Sequence, residues 1–240
     1  MIRAFIFDLD GTLVETELLK ARAYAAVSQE LLGFDGPDER AIDLYRRLVG
    51  ATDETAARAM ADELGLAGKL LHEDEEPWRA LQRLQSDRYR SEFATGNGRR
   101  AAAYPHTLEL LRQQAAYGMA VAVATSSFTA QARRVTSELG IERLLNALVG
   151  RDQVTRGKPD PEIYLKTAAM LGVAPRKTVV IEDSAIGLEA AVRAGMRCIA
   201  VASAFSADGL REQSLLGQEW CVYEPADLAA VVERRLAQDA

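Results

Sequence analysis

The sequence predicts an α/β protein: a mostly parallel sheet flanked by helices, with an all-helical insertion. Three observations carry this expectation. From residue 105 onward, apolar runs of strand length alternate with segments of helical spacing. A first apolar run, FIF at 5–7, stands by itself near the N-terminus. Between the two, residues 16–100 hold four amphipathic segments in succession and no convincing strand.

The elements follow in order. Residues 5–13 read FIFDLDGTL, a buried strand that stops abruptly in two carboxylates. Helices are expected over 17–32, 38–48, 53–64 and 76–93. Gly36-Pro37, Gly65 to Gly68 and the acidic HEDEEP stretch at 72–77 punctuate them. Pro77 suits a first helical turn, with acids before it where the helix dipole favours them. TGNG at 95–98 reads as the turn back. A helix over 107–117 is stopped by Gly118 and leads into MAVAVAT at 119–125, apolar throughout and suited to a strand buried on both faces. A helix over 128–139, a short strand at 147–149 and a helix over 160–171 come next. KTVVIED at 177–183 is a further buried strand ending in acids, followed by a helix over 184–194 and MRCIAVA at 196–202. WCVY at 220–223 and a helix over 225–237 finish the chain. Such alternation implies right-handed crossovers and a Rossmann-like sheet. The domain assignment is therefore a core of residues 1–15 and 101–240, with 16–100 as a helical subdomain.

Composition narrows the function classes. The chain has 240 residues, is 48% hydrophobic and carries a formal charge of -6. That charge argues against non-specific binding to nucleic acid or to an anionic membrane. Two cysteines, Cys198 and Cys221, are too few for a disulfide scaffold and favour a reducing, cytoplasmic setting. No secretory signal is apparent, and no apolar run approaches the ~20 residues of a membrane span. A monomer is the default expectation.

Chemistry concentrates where predicted strands end, which in an open α/β sheet is the ligand-binding edge. Asp8 and Asp10 follow the first strand, Thr125, Ser126 and Ser127 follow VAVA, and Glu182 and Asp183 follow TVVI. Lys158 sits in the loop GKPDP. Singly, each has a plain structural reading as a helix cap or a solvated charge. Together they describe one task. Carboxylates crowded on one edge repel, and a hard divalent cation such as Mg²⁺, which leaves room for a phosphate oxygen, resolves that repulsion. Hydroxyls, helix-start amides and an ammonium suit the remaining phosphate oxygens. One carboxylate is then free to attack phosphorus, and a second acid two residues on can move the proton. An EF-hand reading of DLDGT fails, because its sixth and twelfth positions from Asp8 hold Leu13 and Leu19.

DLDGT, VAVATSS, GKPDPEIY and IEDSAIGLEA, in this order and spacing, resemble the haloacid dehalogenase-like hydrolases. Helices between the first two motifs are similar to the subgroup with a helical cap, which includes sugar-phosphate phosphatases and β-phosphoglucomutase. The resemblance implies Asp8 as nucleophile and metal ligand. It implies Asp10 as general acid/base, with its main-chain carbonyl on Mg²⁺. Thr125, with the amides of Ser126 and Ser127, would bind the phosphoryl group, and Lys158 would neutralise it. Asp183 would be a metal ligand, and Glu182 either a ligand or an acceptor for the metal's waters. Gly11 would make a tight turn and Thr12 hold the loop. Dehalogenation needs no metal and lacks the second acid, so Asp10, Glu182 and Asp183 point to phosphate chemistry.

The expected activity is a Mg²⁺-dependent phosphatase acting on a small phosphate ester through an aspartyl-phosphate. A phosphosugar mutase is the alternative, and a non-catalytic phospho-ligand-binding relative a more remote one. In β-phosphoglucomutases an Arg follows a Gly-x-Ser/Thr turn of the cap, and a His lies in the first cap helix. Here the turn Gly50-Ala51-Thr52 is followed by Asp53, and the helix position holds Lys20. The cap is expected to supply selectivity and to close as a lid, with Glu17, Lys20, Arg46 and Arg47 as candidate substrate contacts.

Overall fold

The computed structural model describes residues 1–48, 53–71, 75–93 and 102–237. The chain divides into two compact units, Met1–Glu15 with Ala103–Ala240, and Thr16–Ala102.

The first unit is built on a sheet of six strands, every pair parallel, in the order β3-β2-β1-β4-β5-β6. The strands are β1 Ala4–Phe7, β2 Ala120–Ala124, β3 Ala147–Val149, β4 Thr178–Glu182, β5 Arg197–Val201 and β6 Cys221–Val222. β1 is central, and its register sets Phe7 against Val123 on one side and Ile181 on the other. A strand so placed has no solvent-facing side, and Phe5, Ile6 and Phe7 are all fully buried. This is why β1, β2 and β4 read as continuous apolar runs rather than alternating ones. The connecting helices of this unit include Pro105–Ala116, Thr129–Glu138, Glu162–Leu171, Ala185–Arg193 and Leu228–Ala237. Ile6, Ala122 and Val180 pack with Tyr164 and Leu188 in one core cluster. Cys198 and Cys221 are buried and unbridged in β5 and β6.

The second unit holds four α-helices among the described residues: α1 Thr16–Leu32, α2 Glu39–Leu48, α3 Asp53–Glu63 and α4 Pro77–Arg88. α1 packs on α2 and α4, and α3 packs on α4. Leu19, Leu44, Met60, Leu66 and Leu81 form its buried interior. The helix expected over 76–93 remains α-helical only to Arg88 and continues as a single π-turn, Tyr89–Phe93. The Gly50–Thr52 turn, His72 and the TGNG turn lie outside the described residues. Among the described residues, no helix is long and apolar enough to cross a membrane.

Candidate active site

β1 delivers Asp8 to the carboxyl edge of the sheet. The ladder runs one residue past the strand, the Asp8 amide donating to the Ile181 carbonyl at 2.9 Å. The chain then turns back on itself. Leu13 and Val14 amides donate to the Leu9 carbonyl at 2.9 and 3.1 Å, and Gly11 donates to the Val14 carbonyl at 2.8 Å. The turn is pinned from outside by Thr107 Oγ1, which donates to the Thr12 carbonyl at 2.6 Å. Gly11 has φ +87°, and a Cβ there would fall 2.1 Å from Asp183 Oδ2. Only glycine satisfies both the backbone and the carboxylate.

Lys158 lies at the centre of the site, its side chain 3% exposed. Its Nζ is 2.6 Å from Asp8 Oδ1 and 2.5 Å from Glu182 Oε1. Glu182, the last residue of β4, is fully buried. Its Oε1 also accepts from the Tyr164 hydroxyl at 3.0 Å. Its Oε2 accepts from the Ser184 amide at 2.8 Å and the Ser184 hydroxyl at 3.0 Å. Asp183 Oδ2 accepts from Ser203 Oγ at 3.4 Å. On the β2 side, Asp10 Oδ2 accepts from Ser127 Oγ at 2.6 Å and Thr125 Oγ1 at 3.2 Å. The Ser127 amide donates to Thr125 Oγ1 at 3.0 Å, and the Thr125 amide to the Val149 carbonyl at 3.0 Å.

The electrostatics are those of a site with excess buried negative charge. Burial pushes the Asp8 carboxyl up to about 8; Lys158 pulls against this while Glu182 and Asp10 add to it. Burial, then Glu182 and Asp8, raise Asp183 well above the carboxylate range. For Lys158, burial works to lower the ammonium, but Asp8 and Glu182 outweigh it and the net shift is upward. Three carboxylates, Asp8, Glu182 and Asp183, are thus gathered about one ammonium. Carboxylate oxygens of Asp8, Glu182 and Asp183 all lie within 4.8 Å of one another. A buried, oxygen-only donor set of this kind suits a hard divalent cation.

The residues singled out from the sequence therefore divide. Asp8, Asp10, Thr125, Lys158, Glu182 and Asp183 meet at one edge of the sheet, while Ser126 beside them is exposed. In the helical unit, Glu17 accepts from Lys20 Nζ at 2.6 Å and from the Tyr45 hydroxyl at 2.9 Å. Arg47 pairs with Glu63 at 3.3 Å and Arg46 with Asp43 at 3.0 Å, all four exposed at the surface. Tyr164 and Ser184 stand inside the motifs GKPDPEIY and IEDSAIGLEA but have no role in the sequence reading, and Ser203 lies outside the motifs. A buried tyrosine hydroxyl requires a partner, but which partner is fixed only by the fold.

A model of the haloacid dehalogenase-like hydrolases matches residues 2–195. The chain is a haloacid dehalogenase-like hydrolase. This hydrolase is 33% identical over 198 residues to a phosphorylated carbohydrates phosphatase of Thermotoga maritima, covering 82% of this chain and 84% of that one. It is 28% identical over 232 residues to a β-phosphoglucomutase of Bacillus subtilis, covering 95% and 92% respectively. The crystal structure of CbbY from Rhodobacter sphaeroides in complex with phosphate superposes with a TM-score of 0.66 at 27% identity, covering 97% of this chain and 100% of that one. The hydrolase belongs in enzyme class with the family's phosphatases.

Proposed function

We propose that this hydrolase is a Mg²⁺-dependent phosphatase of small phosphomonoesters, sugar phosphates foremost, working through an aspartyl-phosphate. The observation that carries the reading is the Lys158 ammonium shared between Asp8 and Glu182, beside Asp183 at the carboxyl ends of β1 and β4. Asp8 and Asp183, with the main-chain carbonyl of Asp10, are the residues that would hold the cation. The surplus of buried carboxylates and the space that Gly11 leaves beside Asp183 both fit one. When bound, the cation offsets repulsion between the Asp8 carboxylate and an anionic phosphoryl group.

The residues divide the work as follows. Asp8 attacks phosphorus; the Asp8 O–P bond forms as the ester P–O bond breaks, and Asp10 gives its proton to the leaving alcohol. Water then attacks phosphorus while Asp10 takes up its proton, and inorganic phosphate departs from Asp8. Lys158 offsets charge on the transferring group and holds Asp8 in place. The Thr125 hydroxyl and the amides of Ser126 and Ser127 serve the phosphoryl oxygens. Selectivity is assigned to the helical unit, with Glu17, Lys20 and Arg47 as its candidates.

The phosphorylated carbohydrates phosphatase among the relatives supports a sugar-phosphate substrate. The β-phosphoglucomutase relative keeps one alternative specific: a second sugar hydroxyl, rather than water, takes the phosphoryl group. The deciding measurement follows phosphate release from an aryl phosphate and a panel of sugar phosphates, with Mg²⁺ and with EDTA. Metal-dependent release is expected. β-Glucose 1-phosphate turning into the 6-phosphate faster than it loses phosphate would overturn the phosphatase assignment.

A further inference from the structure

We infer that Tyr164 is a positioning residue for the phosphoryl-transfer site, acting through Glu182 and Lys158. The inference rests on the proposed phosphatase reading and adds to it a residue outside the carboxylate and phosphate-binding set. Tyr164 lies on the helix Glu162–Leu171, is fully buried, and follows Lys158 by six residues. It reaches the site twice. Its hydroxyl donates to Glu182 Oε1 at 3.0 Å, the oxygen that also receives Lys158. Its ring stands 5.1 Å from the Lys158 ammonium, centroid to Nζ.

Both contacts fix the same object. A lysine on a four-carbon stem loses much rotamer freedom when it is held in one place. Here the ammonium is held by Asp8 on one side, by Glu182 on another, and by the face of the Tyr164 ring. Glu182 could swing toward Lys158 or toward the cation, but its four contacts use both oxygens. Tyr164 and Lys158 take Oε1; the Ser184 amide and hydroxyl take Oε2. Gly187 closes the remaining side, where a Cβ would stand 1.7 Å from Oε1. Glu182 so anchored serves Lys158 as a fixed counter-charge instead of competing with Asp183 for the cation. The contacts of Tyr164 run to Glu182 and to Lys158, and its effect passes through the lysine.

The test is the substitution Tyr164→Phe, which keeps the ring and removes only the hydroxyl. With an aryl phosphate and Mg²⁺, kcat falls about tenfold, the scale of one charge-assisted hydrogen bond. KM and the Mg²⁺ concentration for half-maximal rate each stay within about twofold, and the melting temperature is nearly unchanged. A purely structural role would not give this split. Coupling is read from the cycle with Glu182→Gln: if Tyr164 works through Glu182, the double variant is no slower than Glu182→Gln alone. Ser184→Ala probes Oε2 independently; it leaves the amide contact and lowers kcat to a smaller extent, again with KM unmoved. A wild-type kcat in Tyr164→Phe overturns the inference, as do multiplying effects in the cycle or a loss confined to KM or to Mg²⁺ half-saturation. Should Tyr164→Phe fail to fold, an unchanged kcat in a folded Ser184→Ala overturns it instead. Failure of the phosphatase reading looks different, since wild-type protein would then release no phosphate in a metal-dependent way.

Discussion

A Cβ on Gly11 would lie 2.1 Å from Oδ2 of Asp183. The loop after β1 and the acid just beyond β4 are thus packed so closely that there is no room between them for one methyl group. Gly11→Ala meets two penalties: a left-handed backbone that costs about 1–2 kcal/mol for an L side chain, and displacement of Asp183. Activity is expected to fall about 100-fold, with most of the loss in the Mg²⁺ concentration needed for half-maximal rate. A Gly11→Ala protein with unchanged Mg²⁺ dependence would show that Asp183 does not hold the cation.

Mg²⁺ should stabilise the folded protein as well as activate it. At a concentration about 100-fold above its Kd, the ion adds about 2.7 kcal/mol, visible as a rise in melting temperature that EDTA reverses. Asp183→Asn is expected to abolish that rise. Its metal-free melting temperature should not drop, because burial, Glu182 and Asp8 already disfavour the charged form of Asp183. An Asp183→Asn protein that Mg²⁺ still stabilises fully would refute the assignment.

How far this site was legible in the sequence follows from its construction. β1, β2 and β4 are buried on both faces, so each is written as an unbroken apolar run. The residues at their ends are then conspicuous, because an acid or hydroxyl after such a run breaks the apolar pattern, and several such breaks fall on one edge of the sheet. Asp8, Thr125, Glu182 and Asp183 stand out for that reason. Tyr164 does not, because an aromatic at helical spacing reads as core and its hydroxyl partner lies 18 positions away on a different element. Whether Glu182 faces the cation was likewise undecidable from spacing, since its partners come from Lys158, Tyr164 and Ser184. The short helix Ala207–Glu212 went unread because its six residues, ADGLRE, show no apolar periodicity.

Asp8 and Asp10 are assigned different work, and leaving-group chemistry separates them. Asp8→Asn should lose at least about 1000-fold in turnover for every ester, since the proposed mechanism gives the attack on phosphorus to Asp8 alone. Asp10→Asn removes the proposed proton donor, a role worth about 10²–10⁴. Its loss should be large for an alkyl phosphate and much smaller for an aryl phosphate, whose alcohol departs without a proton. Equal losses on both substrates would remove Asp10 from the acid role.

The helical unit carries its own acid-sensitive anchor at Asp38, which precedes α2. Its carboxylate accepts from Ser28 Oγ at 2.6 Å and from Arg40 Nε and Nη2, both at 2.8 Å, while the Arg40 amide caps onto Oδ1 at 3.2 Å. The Arg40 hydrogen bonds hold the Asp38 carboxyl below the usual carboxylate range, against burial, with Ser28 assisting. A depressed folded-state pKa means that the ionised form stabilises the fold. That contribution is complete above the unfolded value of about 3.9 and is lost as pH falls through the lower folded value. Asp38→Asn keeps an acceptor for the helix start but loses the charge and part of the Arg40 fork, at a cost of about 1–2 kcal/mol at pH 7. Urea midpoints of the two proteins should differ fully at pH 7 and converge as pH falls below the unfolded carboxylate value of about 3.9 and through the lower value of folded Asp38. A difference that persists undiminished to pH 3 would show that the carboxylate charge is not what Asp38 contributes.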